Sequence, residues 1–163
     1  MKTKFTLLTV LGIFLSFTVK AQTSDAEAEA MANLLGVQKK EAVSKLVPVS
    51  GKDSINFWKI YDEYQRANMN TIKKRIKLYE ATAKAYQNMT PKTADSLALQ
   101  YFANREDQEK SIETYYHKIK NSTNAITAFE FYQAETYLLT QLRASIMQQV
   151  PTYGELQKAL KKL

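Results

Sequence analysis

Residues 50–91, SGKDSINFWKIYDEYQRANMNTIKKRIKLYEATAKAYQNMTP, decide the fold. After Gly51 the stretch contains no glycine, and no proline until Pro91. Phe57, Tyr61, Tyr64, Ile72, Ile76, Tyr79, Ala83 and Tyr86 fall at spacings of three, four or eight, which places them on one stripe of a helix. Ser50 stands at the N-cap position, and Asp53 in the first turn complements the helix dipole. The run ends near Asn88. Thr90 then caps a new helix, with Pro91 at its first position, where a missing N–H costs nothing. A helix of about 35 residues is ~50 Å long, more than a small globule needs. The chain therefore doubles back on itself.

Three more helices follow from the flanking sequence. The first covers about Asp25 to Val47, rich in alanine and glutamate at its start and ending before Pro48. The third runs from Pro91 to about Lys120, with Leu97, Tyr101, Ile112, Tyr115 and Ile119 on its apolar stripe. Asn121-Ser122-Thr123-Asn124 breaks the chain. The fourth continues to about Gln149, stopped by Pro151, with Phe129, Tyr132, Leu139, Leu142 and Ile146 on its expected buried face. Strand alternation with turn pairs is missing. The expected fold is all-α: an elongated antiparallel hairpin of two long helices with additional helices packed along it. The expected organisation is an N-terminal helix at 22–48, the hairpin domain at 49–151 and a basic tail at 152–163.

Both long helices turn polar halfway. Asn68 and Arg75 interrupt the second helix's stripe, and Asn104, Arg105 and Gln108 interrupt the third's. Antiparallel pairing from the Asn88-Met89-Thr90 turn sets Ile76 near Asn104 and Ile72 near Gln108. The polar groups then face one another, either as a hydrogen-bonded layer that fixes register or as a wet groove.

Residues 1–21 have the form of a cleavable export signal. Lys2 and Lys4 precede an apolar stretch from Phe5 to Val19, and Val19-Lys20-Ala21 ends on a small residue. Fifteen residues fall short of the ~20 that a spanning helix requires. Cleavage after Ala21 makes the protein periplasmic or secreted, with no integral membrane span afterwards. The leader removes three lysines, bringing 23 basic residues to 20 against 16 acids and the charge from +7 to +4. That modest excess on an exported chain argues against nucleic acid as a partner and leaves acidic clients open. The absence of cysteine excludes disulfides, a thiol nucleophile and a lipidated cysteine.

No catalytic constellation, metal site or cofactor is expected. His117 is the one histidine, so paired-histidine metal motifs cannot be built. It is taken as an interfacial aromatic beside Tyr115 and Tyr116. The adjacent acids Asp62-Glu63 and Glu106-Asp107 diverge by about 100° on a helix. More distinctive is a basic stripe: Lys52, Lys59, Arg66 and Lys73 recur every seven residues, and Lys77 and Lys84 continue on the same side. It lies opposite the Phe57/Tyr61/Tyr64 face. Such a run is either a solvated helix surface or a positive field that draws unfolded or acidic clients. Trp58 and neighbouring rings, too many for a thin helical layer to bury, are the apolar contacts expected beside it.

The segment Phe57-Trp58-Lys59-Ile60-Tyr61-Asp62-Glu63-Tyr64 resembles the FWPIYDEY-type block of a group of small exported bacterial helical proteins. Those are in turn similar to the Spy/CpxP family of periplasmic stress proteins, marked by L-T-x-x-Q repeats. Val49-Ser50-Gly51-Lys52-Asp53 and Ile126-Thr127-Ala128-Phe129-Glu130 stand at the repeat positions. Phe131-Tyr132-Gln133-Ala134-Glu135 and Gln149-Val150-Pro151 resemble the closing helix. The likeness covers Val49 to Pro151. It departs where both repeats lack the glutamine, where serine replaces threonine in the first, and where Lys59 replaces proline. The resemblance implies a curved hairpin, in some members a homodimer. It further implies an ATP-independent chaperone that holds unfolded proteins, or an adaptor that binds an envelope sensor protein in stress signalling. A structural envelope protein is the remaining non-enzyme alternative.

Overall fold

In the computed structural model, which describes residues 25–147, the chain folds as four α-helices and one short 3-10 turn. Helix α1 spans Asp25–Leu46, α2 Gly51–Ala85, α3 Pro91–Ser122 and α4 Ala125–Met147, with the 3-10 turn at Tyr86–Asn88. The chain is all-α, as its periodicity predicts. The expected leader at 1–21 and the basic tail at 152–163 lie outside the described residues.

Local chemistry accounts for most of the boundaries. The Thr93 amide donates to Thr90 Oγ1 at 3.1 Å, and Pro91 opens α3. Asn124 caps α4, its Oδ1 accepting from the Thr127 amide at 3.0 Å. Ser50 behaves differently. It occupies the N-cap of α2 in extended conformation, but its side chain makes no capping bond. The chain enters α2 through Gly51 at φ +56°, a left-handed conformation that favours glycine.

Contacts along the helices fix their directions. Asn56 donates to the Ser122 carbonyl, Lys118 pairs with Glu63, Asn104 donates to the Thr71 carbonyl, and Thr82 meets Tyr101. As α2 numbers rise, α3 numbers fall, so the two helices are antiparallel. Gln65 reaches the Gly36 carbonyl and Lys40 reaches Asp62, which sets α1 antiparallel to α2. Helix α4 lies against both α3 and α1, and Lys39 joins it at Glu135. The result is an up-down-up-down arrangement of four packed helices.

The core lies where all four helices meet. Val43 of α1 and Val47 just after it, Phe57, Tyr61 and Tyr64 of α2, Ile112, Tyr115 and Ile119 of α3, and Ala128, Phe131 and Leu138 of α4 are buried together. Phe131 packs edge-to-face against Phe57, Tyr61 and Tyr64 with centroids 5.3–6.5 Å apart. Such geometry adds about 0.5–1.5 kcal/mol per pair beyond area burial. A thin layer is not expected to bury all of Trp58, Phe57, Ile60, Tyr61 and Tyr64, yet none of the five is exposed. Helices α1 and α4 both close over this half of α2, so Phe57, Tyr61 and Tyr64 are fully buried and Trp58 and Ile60 half-buried.

The polar midsection is a hydrogen-bonded layer. Asn68, Asn104 and Gln108 are buried. Asn104 donates to the Thr71 carbonyl at 2.9 Å and accepts from Arg75 Nε. Gln108 approaches the Tyr64 hydroxyl at 3.5 Å. Arg105 departs from expectation: it faces solvent, one step around the helix from Asn104. Asn68 Nδ2 is buried without a partner. Beside this layer a shallow groove of about 50 Å³ opens among Leu35, Ile72, Ile76, Leu139 and Arg143.

Candidate functional site

The basic stripe lies on the outward side of α2. Lys52, Lys59, Arg66, Lys77 and Lys84 are exposed and Lys73 is half-buried. Its two ends differ in electrostatics. Lys84 is paired with Glu80 at 2.8 Å, one turn earlier. Lys52 and Lys59 make no ion pair with any described residue. Of the acids on this half of α2, Asp53 beside Lys52 accepts from Asn124 Nδ2 at 3.3 Å, while Asp62 is paired with Lys40 of α1 and Glu63 with Lys118 of α3. The hydrogen bond from Lys118 holds the Glu63 carboxyl below its ordinary range and keeps it ionised. Positions 52, 59 and 66 recur at about 10 Å along the helix, so the near half of α2 presents a row of positive charge.

Trp58 is not part of that row. It stands about 100° around α2 from Lys59, edge-on to Phe57 at 4.9 Å and Tyr61 at 5.6 Å. Lys40 Nζ sits 5.6 Å from its ring centroid. The indole seals the seam between α1 and α2. His117 is likewise displaced from its expected place: it is exposed on α3, edge-on to Tyr116 at 5.3 Å, while Tyr115 enters the core and Tyr116 packs half-buried against it.

Two features lie outside the sequence reading. The first is Glu135, fully buried on α4. Its carboxylate accepts from the Tyr61 hydroxyl at 3.0 Å, the Tyr64 hydroxyl at 2.7 Å and Lys39 Nζ at 2.9 Å. Gln65 extends the network to the Gly36 carbonyl, and Lys39 lies over the Tyr64 ring at 4.9 Å. Burial first, then the Glu135 charge, pushes the pKa of both hydroxyls well above the ordinary tyrosine value, so each remains a donor. The network ties α1, α2 and α4 together at one level. Its sequence signal was an acid at the spacing of Phe131 and Leu138, on the same helical face.

The second is the outward face of α4. Phe129 and Tyr132, expected in the core, are 54% and 39% exposed, while Phe131 between them is fully buried. Ile126 and Tyr137 are exposed as well. The helix is apolar on nearly every side, so its periodicity does not single out a buried face. The buried side is selected instead by Glu135, which must meet Lys39 and the two tyrosines.

These features define an all-α protein of four packed helices whose candidate sites are helix surfaces: a basic one on α2 and an uncharged aromatic one on α4. No family model, curated protein or solved structure matches the chain. Among the described residues no helix is long and apolar enough to cross a membrane. None of their histidine and acidic side chains group as a metal cluster.

Proposed function

We propose that this chain is an exported holding protein, which binds unfolded or acidic clients on the α2 surface without nucleotide and in the manner of Spy/CpxP-like proteins. The observation that carries the proposal is the row of positive charge on the near half of α2. Lys52 and Lys59 are exposed and make no ion pair among the described residues, while Asp62 and Glu63 are paired with cations on other helices. A fixed row of unneutralised charge attracts acidic segments over a Debye length, about 8 Å at physiological salt, and speeds encounter. Helices anchored by a packed aromatic core keep that row in place while clients come and go.

Purified protein mixed with a chemically denatured client on dilution tests the proposal through light scattering. Suppression of aggregation near equimolar ratio, weakening as salt rises from 50 to about 500 mM, is expected. No suppression at any ratio or salt concentration overturns it. Recovery of one dominant envelope partner, with no effect on generic clients, assigns the chain to the adaptor class instead.

A further inference from the structure

Beside the polar layer the interior of the bundle is left open. All four helices wall the groove there: Leu35 of α1, Ile72 and Ile76 of α2, Gln108 of α3, Leu139 and Leu142 of α4. The five aliphatic side chains are only half-buried, whereas Ile112, Ile119 and Leu138 at the aromatic end are buried. Two arginines, Arg75 and Arg143, stand in the same wall. Arg75 is held in place: its Nε donates to Asn104, and its guanidinium lies 5.6 Å from the Tyr101 ring centroid. Arg143 is half-buried and makes no hydrogen bond or ion pair among the described residues. None of the described residues that line the groove is acidic. We propose that the groove is a binding site for a single-chain alkyl carboxylate, with its chain on the aliphatic wall and its headgroup on Arg143 and Arg75.

Three properties of the wall select this ligand. The first is charge. A guanidinium set among apolar side chains is partly stripped of water, so it draws an anion more strongly than a lysine on the open α2 surface does. The second is the one-sided hydrogen bonding. Arginine offers donors only, which suits a headgroup made of acceptors. A client peptide would bring amide N–H groups as well, and the Gln108 and Tyr79 oxygens are the only side-chain acceptors among the described lining residues. Most of those amides would be buried unpaired, at a cost. The third is size. The open room of about 50 Å³ holds about three or four water-sized groups, which admits one unbranched chain and excludes a ring system or a paired-chain lipid. Ile72 to Tyr79 spans about 10 Å of α2, the length of about eight extended methylenes. A ten-carbon carboxylate therefore matches the wall. The groove lies on the inner side of α2, opposite the basic stripe, so this site is independent of the holding reading.

The test is isothermal titration calorimetry of the purified, delipidated protein with sodium decanoate below its micelle concentration. One molecule per chain is expected, and decanoate at about ten times its dissociation constant should raise the thermal midpoint by about 4 °C. From hexanoate upward, affinity should rise about fourfold per methylene and level off by dodecanoate, once the wall is covered. Decanol and decylammonium should bind at least tenfold more weakly than decanoate. Arg143→Gln should weaken decanoate at least tenfold and leave decanol unchanged, with circular dichroism at 222 nm checking that the fold is kept. Lys120→Gln, which removes an exposed cation from α3, should leave both unchanged. A groove indifferent to decanoate, including one that seats a client segment or a second copy instead, overturns the proposal. So does equal binding of the three decyl compounds, or an Arg143→Gln variant with the parent's affinity. Several molecules per chain, with affinity still rising past dodecanoate, would mean adsorption to the surface and would overturn it too.

Discussion

Glu135 concentrates more of the fold's specificity than any other side chain. A carboxylate removed from water loses several kcal/mol of solvation, which a partner recovers only with good geometry. Here Lys39 and two tyrosine hydroxyls provide it. Glu135→Ala leaves the Lys39 ammonium, itself nearly buried, without its acceptor. It should cost about 3–5 kcal/mol in urea unfolding, whereas the paired replacement Lys39→Met with Glu135→Leu should cost clearly less than either change alone. Additive losses would show that the pair does not act as a unit. The tyrosines add a pH signature. Both are more acidic unfolded than folded, so above pH 10 the unfolded state binds fewer protons and stability falls as pH rises. Alkaline unfolding should begin near pH 10, with part of the tyrosinate absorbance at 295 nm appearing together with the loss of helix. Tyrosines that all titrate before the helices melt would contradict this.

At the scale of the element, α2 and α4 show where sequence reading succeeds and where it fails. Helix α2 alternates apolar and charged positions, so Phe57, Tyr61, Tyr64 and Tyr79 announced the buried stripe and the lysines opposite announced the exposed one. The pairing of Asn104 with the Thr71–Arg75 turn was legible too, because the helix lengths and the turn at Asn88 fix the antiparallel register. Helix α4 offers no such contrast. With apolar residues around most of its circumference, two frames are equally plausible, and the wrong one places Phe129 and Tyr132 inside. The deciding residue, Glu135, is polar and therefore counts against its own face until Lys39, nearly a hundred positions away in sequence, is brought beside it. Mutations separate the frames. Phe131→Ala should destabilise by about 3–5 kcal/mol through the cavity left among Phe57, Tyr61 and Tyr64. Phe129→Ala, measured in dilute solution, should stay within about 1 kcal/mol. Equal effects would return Phe129 to the core.

For the whole molecule, the important consequence is that stability and the α2 surface are separable. The core is built from α1, α3, α4 and the inner side of α2, while Lys52, Lys59 and Arg66 lie on the outer side and pack on nothing in that core. Replacing all three with glutamine removes three positive charges and, by the usual behaviour of exposed substitutions, changes unfolding free energy by no more than about 1 kcal/mol. If the holding reading is right, the triple variant should retain its helical spectrum and urea midpoint. It should suppress client aggregation less well than the parent at 50 mM salt, and the two should converge at high salt, where screening has already removed what the substitution takes away. The far end supplies an internal control. Lys84 is already neutralised by Glu80, so Lys84→Gln should change holding far less than Lys59→Gln. Equal losses from the two ends would mean that net charge alone governs binding and that the row on α2 has no particular role.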